Sequence, residues 1–293
     1  MGGLETALSA LVAVHAAQTV CIAFVDLGSG AIVEIHAGER MHAASTMKLP
    51  VLIAAHRLVH EGKLRLDAPV LVANHFRSLA DGSDFSTDPK NDHDDWMYAQ
   101  IGKRVPLSRL LERMIVRSSN LATNLVMEQV PATFVTATCR KLGTRDLEVL
   151  RGVEDGRAHD KGLDNTTTAH DLAVLLRAVA SSAAAPAPSS TAAAAPFPTA
   201  APAPSKPQVA GAEAILALLQ LQELNEGIPA GLPPGTPVAH KTGSISAHYH
   251  DAAIVSPPGR APYVLVVMTR GFAEEKDAVA LVRDVSRTVF AQP

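Results

Sequence analysis

The sequence predicts an α/β (α+β) protein: an antiparallel sheet built from both termini, with flanking helices, and an all-helical lobe inserted between its halves. Three observations carry this prediction. Strand-like alternation sits near both ends, apolar residues recur at helical spacing through the middle, and one stretch of altered composition separates the helical region from the C-terminal strands.

Leu4, Leu8, Leu11 and Val12 recur at helical spacing, so a helix opens the chain. Residues 19–27 and 31–36 then alternate like strands around Gly28, Ser29 and Gly30, which predicts a hairpin. From 45 to 181 the pattern is helices separated by polar loops, clearest over 107–114, 121–129 and 168–179. At the other end, 251–255 and 263–269 flank a turn rich in Pro and Gly, and 276–290 places Ala278, Leu281, Val282, Val285 and Val289 on one helical face. The expected division is a sheet lobe from 1–42 and 209–293 and a helical lobe from 43–180. Residues 181–208 are expected as a flexible insertion, because Ala, Pro, Ser and Thr dominate there, with seven of the chain's 20 prolines, and bury too little apolar surface to fold alone. A cleft between two such lobes is a common seat for a small molecule.

The 293 residues carry 26 Lys+Arg against 29 Asp+Glu, a net charge of −3, which offers no basic field for a nucleic-acid backbone. No apolar run approaches the roughly 18 residues of a membrane span. Glu5 precedes the apolar stretch at 8–17 and Arg40 is the first basic residue, so the expectation is a mature form or a cytoplasmic protein without a signal peptide. Cys21 and Cys139 fit neither a disulfide framework nor a zinc site; they are expected as packed thiols or one incidental bridge. His93, Asp94 and Asp95 are adjacent on a polar loop, where a solvated stretch is expected rather than a metal.

The chemistry-bearing residues begin at Ser45-Thr46-Met47-Lys48. Ser and Lys three apart share one helical face if a helix starts here, and Pro50 followed by an apolar run through Leu58 supports that start. Ser45 then sits at the positive end of the helix beside an amine whose pKa burial lowers, and such a lysine accepts the serine's proton. Taken alone, the pattern is better explained by a capping serine beside a surface lysine. Two further motifs follow in order: Ser118-Ser119-Asn120 at the start of an apolar helical stretch, and Lys241-Thr242-Gly243 at the end of a strand-like run.

Together these motifs resemble the active-site set of the class A β-lactamases and their penicillin-recognising serine-hydrolase relatives. The resemblance includes A-x-S-T-M-K at 43–48, S-S-N-L-A-T-N at 118–124, N-T-T-T at 165–168, V-A-H-K-T-G at 238–243 and H-D-A-A-I-V at 250–255. It implies a β-lactamase/transpeptidase-like fold and a catalytic set of Ser45, Lys48, Ser118, Glu154 and Lys241. Ser45 would be the nucleophile, Lys48 its base, Ser118 a proton relay to the departing nitrogen, and the backbone N–H groups of Ser45 and Ser244 the oxyanion donors. Asn120 would bind the substrate's side-chain amide, and Lys241, Thr242 and Ser244 its carboxylate. Gly243 would keep the strand edge open to substrate, and Tyr98 is a candidate for the cleft's entrance. His240 and His250 are expected as structural imidazoles.

The family pattern E-P-x-L-N, which supplies the base for deacylation, is replaced here by Arg151-Gly152-Val153-Glu154-Asp155-Gly156. Glu154 is the candidate base, Asn124 the residue expected to hold it, and Asp155 and Asp160 the substitutes. Arg151 is expected in an ion pair with a loop acid. The resemblance implies no cofactor and no metal, a β-lactam or peptidoglycan-like acyl substrate, a monomer, and a periplasmic or secreted setting. A D-alanyl-D-alanine peptidase or esterase with slow β-lactam deacylation is the alternative, and a non-catalytic β-lactam receptor domain the second.

Overall fold

The structure is a computed structural model that describes residues 2–15, 18–185 and 208–292. Of the expected insertion, 186–207 lies outside the described residues, while its first residues continue the preceding helix to Ala183.

Five strands form one antiparallel sheet: β1 (Thr19–Asp26), β2 (Ile32–Ile35), β3 (Val238–Ile245), β4 (His248–Val255) and β5 (Tyr263–Arg270). Their order is β2-β1-β5-β4-β3, so the first long strand pairs with the last, from Thr19↔Arg270 to Asp26↔Tyr263. The sheet is therefore assembled from both termini, and β3 is left at one edge. Alternation in β1 explains how it serves two cores. Val20, Ile22 and Phe24 point to one face, where α1 (Gly2–Val14) and α8 (Glu275–Phe290) cover them with Leu4, Leu8, Val282 and Val285. Cys21, Ala23 and Val25 point to the other face and join the larger core of the helical region.

Among the described residues, six further helices longer than two turns build the core on that second face: α2 (Lys48–His60), α3 (Leu107–Val116), α4 (Asn120–Gln129), α5 (Ala132–Leu142), α6 (Ala169–Ala183) and α7 (Ala212–Gln220). From Lys48 to His56 every residue of α2 is buried, the mark of a helix surrounded by protein rather than lying on its surface. α6 packs across β1, β5 and β4, and α7 packs on α6 and β3. Thus Ile215 and Leu219, within the stretch assigned to the sheet lobe, sit in the helical core. Cys21 and Cys139 are free and buried, and burial pushes both thiols up to about 12. Among the described residues no helix is long and apolar enough to cross a membrane.

Leu8 is fully buried between α1 and the sheet. Leu8→Ala is expected to destabilise the fold by about 2–5 kcal/mol through lost transfer energy and a residual cavity. A urea titration should show a lower midpoint at unchanged slope.

Candidate active site

The cleft lies where the edge strand β3 meets the beginning of α2. Ala44–Met47 forms a 3-10 turn that runs directly into α2, so Ser45 stands on this lead-in turn rather than on the α-helix expected for it. Ala44 takes a positive φ of 46°, held there by its N–H, which donates to His42 Nδ1 at 2.9 Å. Gly243 is required by the same approach. A Cβ there would lie 2.9 Å from the backbone nitrogens of both Ser45 and Thr46, so the glycine makes room for the nucleophile's turn itself, where sequence reasoning assigned the space to substrate.

Lys48 and Lys241 are both fully buried and converge on one hydroxyl. Lys48 Nζ donates to Ser118 Oγ at 3.2 Å, to the Ser118 carbonyl at 2.6 Å and to Asn120 Oδ1 at 2.9 Å. Lys241 Nζ reaches Ser118 Oγ at 2.9 Å and the Thr242 carbonyl at 3.0 Å. Burial lowers the Lys48 pKa to about 7, opposed by the carboxylates of Asp92 and Glu154. Burial, and then the neighbouring Lys48, lowers Lys241 well below the usual lysine range. Ser118 itself has a positive φ of 56°, and Glu154 one of 61°. With Ala44, three non-glycine residues at the cleft occupy a conformation that costs roughly 1–2 kcal/mol each.

The loop bearing Glu154 is fastened by three asparagines. Asn165 Oδ1 accepts the N–H groups of Leu150 and Arg151 at 2.8 and 3.1 Å. Asn124 clamps Val153 from both sides, accepting its N–H at 2.7 Å and donating to its carbonyl at 3.0 Å. A Cβ at Gly152 would fall 2.2 Å from Asn124 Oδ1, so a side chain there would push Asn124 out of this clamp. Asn120 Nδ2 donates to Glu154 Oε1 at 2.6 Å, and the Asp88 N–H donates to Oε2 at 2.7 Å. The residue holding the glutamate is therefore Asn120 and not Asn124, which is buried and reaches the loop backbone instead. Burial pushes the Glu154 carboxyl above the usual carboxylate range, against these two donors.

Ser45, Asn120, Glu154 and Ser244 line one cavity of about 620 Å³. Ser45, Ser118, Thr242 and Gly243 line an adjoining one of about 320 Å³. Asp155 also lines the larger cavity, but its carboxylate is taken up by Ser78 Oγ and the Leu79 N–H at 2.7 and 2.8 Å, and Asp160 lies exposed at the end of a short helix. Tyr98 lies outside the linings of both cavities. It packs against the core and its hydroxyl bonds Thr87 Oγ1 at 2.9 Å. His240 and His250 are satisfied inside the sheet, the first by Asp251 at 2.9 Å and Asn225 at 3.0 Å, the second by the His42 carbonyl at 3.0 Å and the Thr269 N–H at 3.2 Å. Arg151 pairs with Asp164 at 2.8 Å.

Sequence reasoning missed the acids before the second motif. Asp92 Oδ2 accepts the N–H groups of Asn120 and Leu121 at 2.8 and 3.0 Å, fixing the start of α4 and with it Asn120. Asp94, expected on a solvated loop, is buried and paired with the Arg113 guanidinium. The available signal was the preference for a carboxylate at a helix N-terminus, but it acts across 28 residues of chain and leaves no local spacing to read.

At the rim, His42, His159 and Asp164 bring possible ligand atoms within 4.8 Å of one another. His42 Nδ1 accepts the Ala44 N–H, so the neutral ring carries its proton on Nε2, the atom that faces Asp164 at 3.5 Å. Arg151 donates to the same carboxylate. These groups already satisfy one another and hold the turn before Ser45, so the donor set does not fit a metal.

Residues 3–195 and 208–292 match the family model described as the Beta-lactamase enzyme family. No curated protein matches. Among solved structures, PBP-A is 24% identical at a TM-score of 0.76, with 98% of this chain and 94% of that chain covered. A point mutant of PBP-A was solved as an acyl-enzyme complex with penicillin G. A β-lactamase from Xanthomonas campestris pv. campestris str. ATCC 33913 is 21% identical at a TM-score of 0.77, covering 98% and 97%. One from Sphaerobacter thermophilus DSM 20745 is 22% identical at 0.75, covering 97% and 94%. At these identities the solved structures carry the fold, five-stranded sheet and helical region alike, and the family model spans both the turn of Ser45 and the edge strand that meets it: the chain belongs to the β-lactamase enzyme family.

Proposed function

We propose that this chain is a serine hydrolase that opens β-lactams through an acyl-serine at Ser45. The observation that carries the reading is the convergence of two buried lysines on Ser118 Oγ in a cleft that Ser45 also lines. In this reading the free amine of Lys48 takes the Ser45 proton as Oγ attacks the lactam carbonyl. The oxyanion rests between the N–H groups of Ser45 and Ser244, and Ser118 passes a proton to the ring nitrogen as its bond to the carbonyl carbon breaks. Water, deprotonated by Glu154, then releases the penicilloate-type acid and restores Ser45.

A second reading, a penicillin-binding peptidase or esterase with slow deacylation, is favoured by one feature. Both oxygens of Glu154 already accept an N–H, so a water must compete with two donors for the carboxylate's remaining lone pairs.

Mixing the protein with a chromogenic cephalosporin while sampling intact mass separates the two. Sustained turnover is the expected result, and one stoichiometric burst with a lasting adduct would favour the second reading. Ser45→Ala is expected to abolish covalent labelling by penicillin, and labelling that survives would sink both readings. Glu154→Gln should leave acylation nearly intact while slowing deacylation by about 10²-fold or more, so that the adduct accumulates. Because Lys48 must be unprotonated to accept a proton and its pKa is lowered to about 7, acylation should rise with pH up to about 7 and level off above it. Stopped-flow acylation rates across that range check the sign.

A further inference from the structure

The part of the cleft beyond Ser118, where the leaving group departs, is acidic. Glu226 and Glu275 both line it, and among its lining residues there is no Lys or Arg. Ser244, one of the groups expected to receive a carboxylate, instead donates its hydroxyl to Glu275. Lys241, expected beside it, turns its amine inward to Ser118 and the Thr242 carbonyl. Of the nearby guanidinium groups, Arg117 is engaged by Glu223 and the His93 carbonyl, and Arg283, outside the lining, donates to the Glu226 carbonyl at 3.3 Å and leaves its buried Nε without a partner. Glu275 also begins α8, with Asp277 in the same turn, so the positive end of that helix is already offset.

An independent observation lies in the wall of the same cavity. Tyr249 is 5% exposed, and its hydroxyl is buried without any hydrogen-bond partner. Burial and the carboxylates of Asp251, Glu226 and Glu275 hold its pKa far above the usual phenol range, and only Arg283 opposes them. A phenol oxygen under this negative potential lacks a donor, and an ammonium N–H supplies one.

We infer that the leaving-group side of this cleft selects a cationic group: an ester, thioester or amide whose departing alcohol, thiol or amine carries an ammonium. Glu226 and Glu275 would hold the charge, and the Tyr249 oxygen would accept one N–H or face a quaternary ammonium with its ring. A β-lactam, which presents a carboxylate here, is then the slower substrate. The inference rests on acylation of Ser45. With a thioester, Ser45 Oγ bonds to the carbonyl carbon, the C–S bond breaks, and the thiolate leaves with the serine's proton, relayed through Lys48 and Ser118. Water then cleaves the acyl-serine to a carboxylic acid and returns a proton to Ser45.

The test is a matched pair, phenylacetyl thiocholine and phenylacetyl thioglycolate, with thiol release followed on the full chain and each kcat/KM divided by the ester's own hydroxide rate. The cationic ester is expected to be favoured by roughly tenfold or more at low ionic strength, with the ratio shrinking as salt screens the two exposed carboxylates. The doubly substituted Glu226→Gln, Glu275→Gln protein should bring the ratio to within about threefold of one. A wild-type ratio at or below one overturns the inference, as does a ratio that survives either salt or the double substitution. If neither ester is cleaved faster by the wild type than by Ser45→Ala while penicillin still labels Ser45, this inference falls and the acyl-serine reading stands; if penicillin labelling is absent as well, both fall.

Discussion

Two amines withdrawn from water share one serine hydroxyl, and the architecture around the cleft follows from keeping them there. A lysine ammonium buried without compensation is costly, so each amine must sit as a free base or find acceptors. The protein supplies the acceptors through the backbone. Ser118 is bent into a left-handed conformation that offers Lys48 its carbonyl, and Lys241 receives the carbonyl of Thr242. Asn120 completes the arrangement with an oxygen for Lys48 and a nitrogen for Glu154, so one amide ties the amine to the carboxylate of the facing loop. The amide's orientation follows from its neighbours: an oxygen turned to Glu154 would place two acceptors together.

This coupling makes three separate elements interdependent at the site. Lys241 comes from the edge strand, Lys48 from the first residue of the central helix, and Ser118 from the turn before α4. Each rests on packing that is not itself polar. The buried length of α2 fixes the depth of Lys48, and the absence of a side chain at Gly243 lets the strand approach the turn of Ser45. The strained residues at 44, 118 and 154 are placed where geometry at the cleft outweighs local preference, which is the usual location of such strain.

Much of this was legible in the sequence, for specific reasons. The strands near both ends were readable because alternation is a local signal, and the motifs because their residues lie a few positions apart in the chain, although Lys241-Thr242-Gly243, expected at the end of a strand-like run, sits inside β3. What escaped reading depends on contacts between distant segments. The α5 helix carries Thr133, Val135, Thr136 and Thr138, β-branched residues that blur a helical pattern, and α7 follows directly on the Ala/Pro-rich stretch. Asn120 and Asn124 share a helical face, so spacing alone could not decide which would meet the glutamate. The decision lies in the loop, where Gly152 lets Asn124 reach the backbone and leaves the carboxylate to Asn120.

The pairing of β1 with β5 has a consequence for how the chain is made. The N-terminal hairpin leaves the ribosome with one edge of β1 unpaired, and its partner, Tyr263–Arg270, follows only after the whole helical region has been made. At roughly 5–20 residues per second the hairpin waits on the order of ten seconds or more, with an apolar strand edge open to other chains. The sheet closes only once that distant strand arrives, and because β3 and its lysine also come after the helical region, the cleft forms no earlier. Until then the open edge of β1 is available to other chains, and pairing between nascent copies is the hazard that this topology accepts.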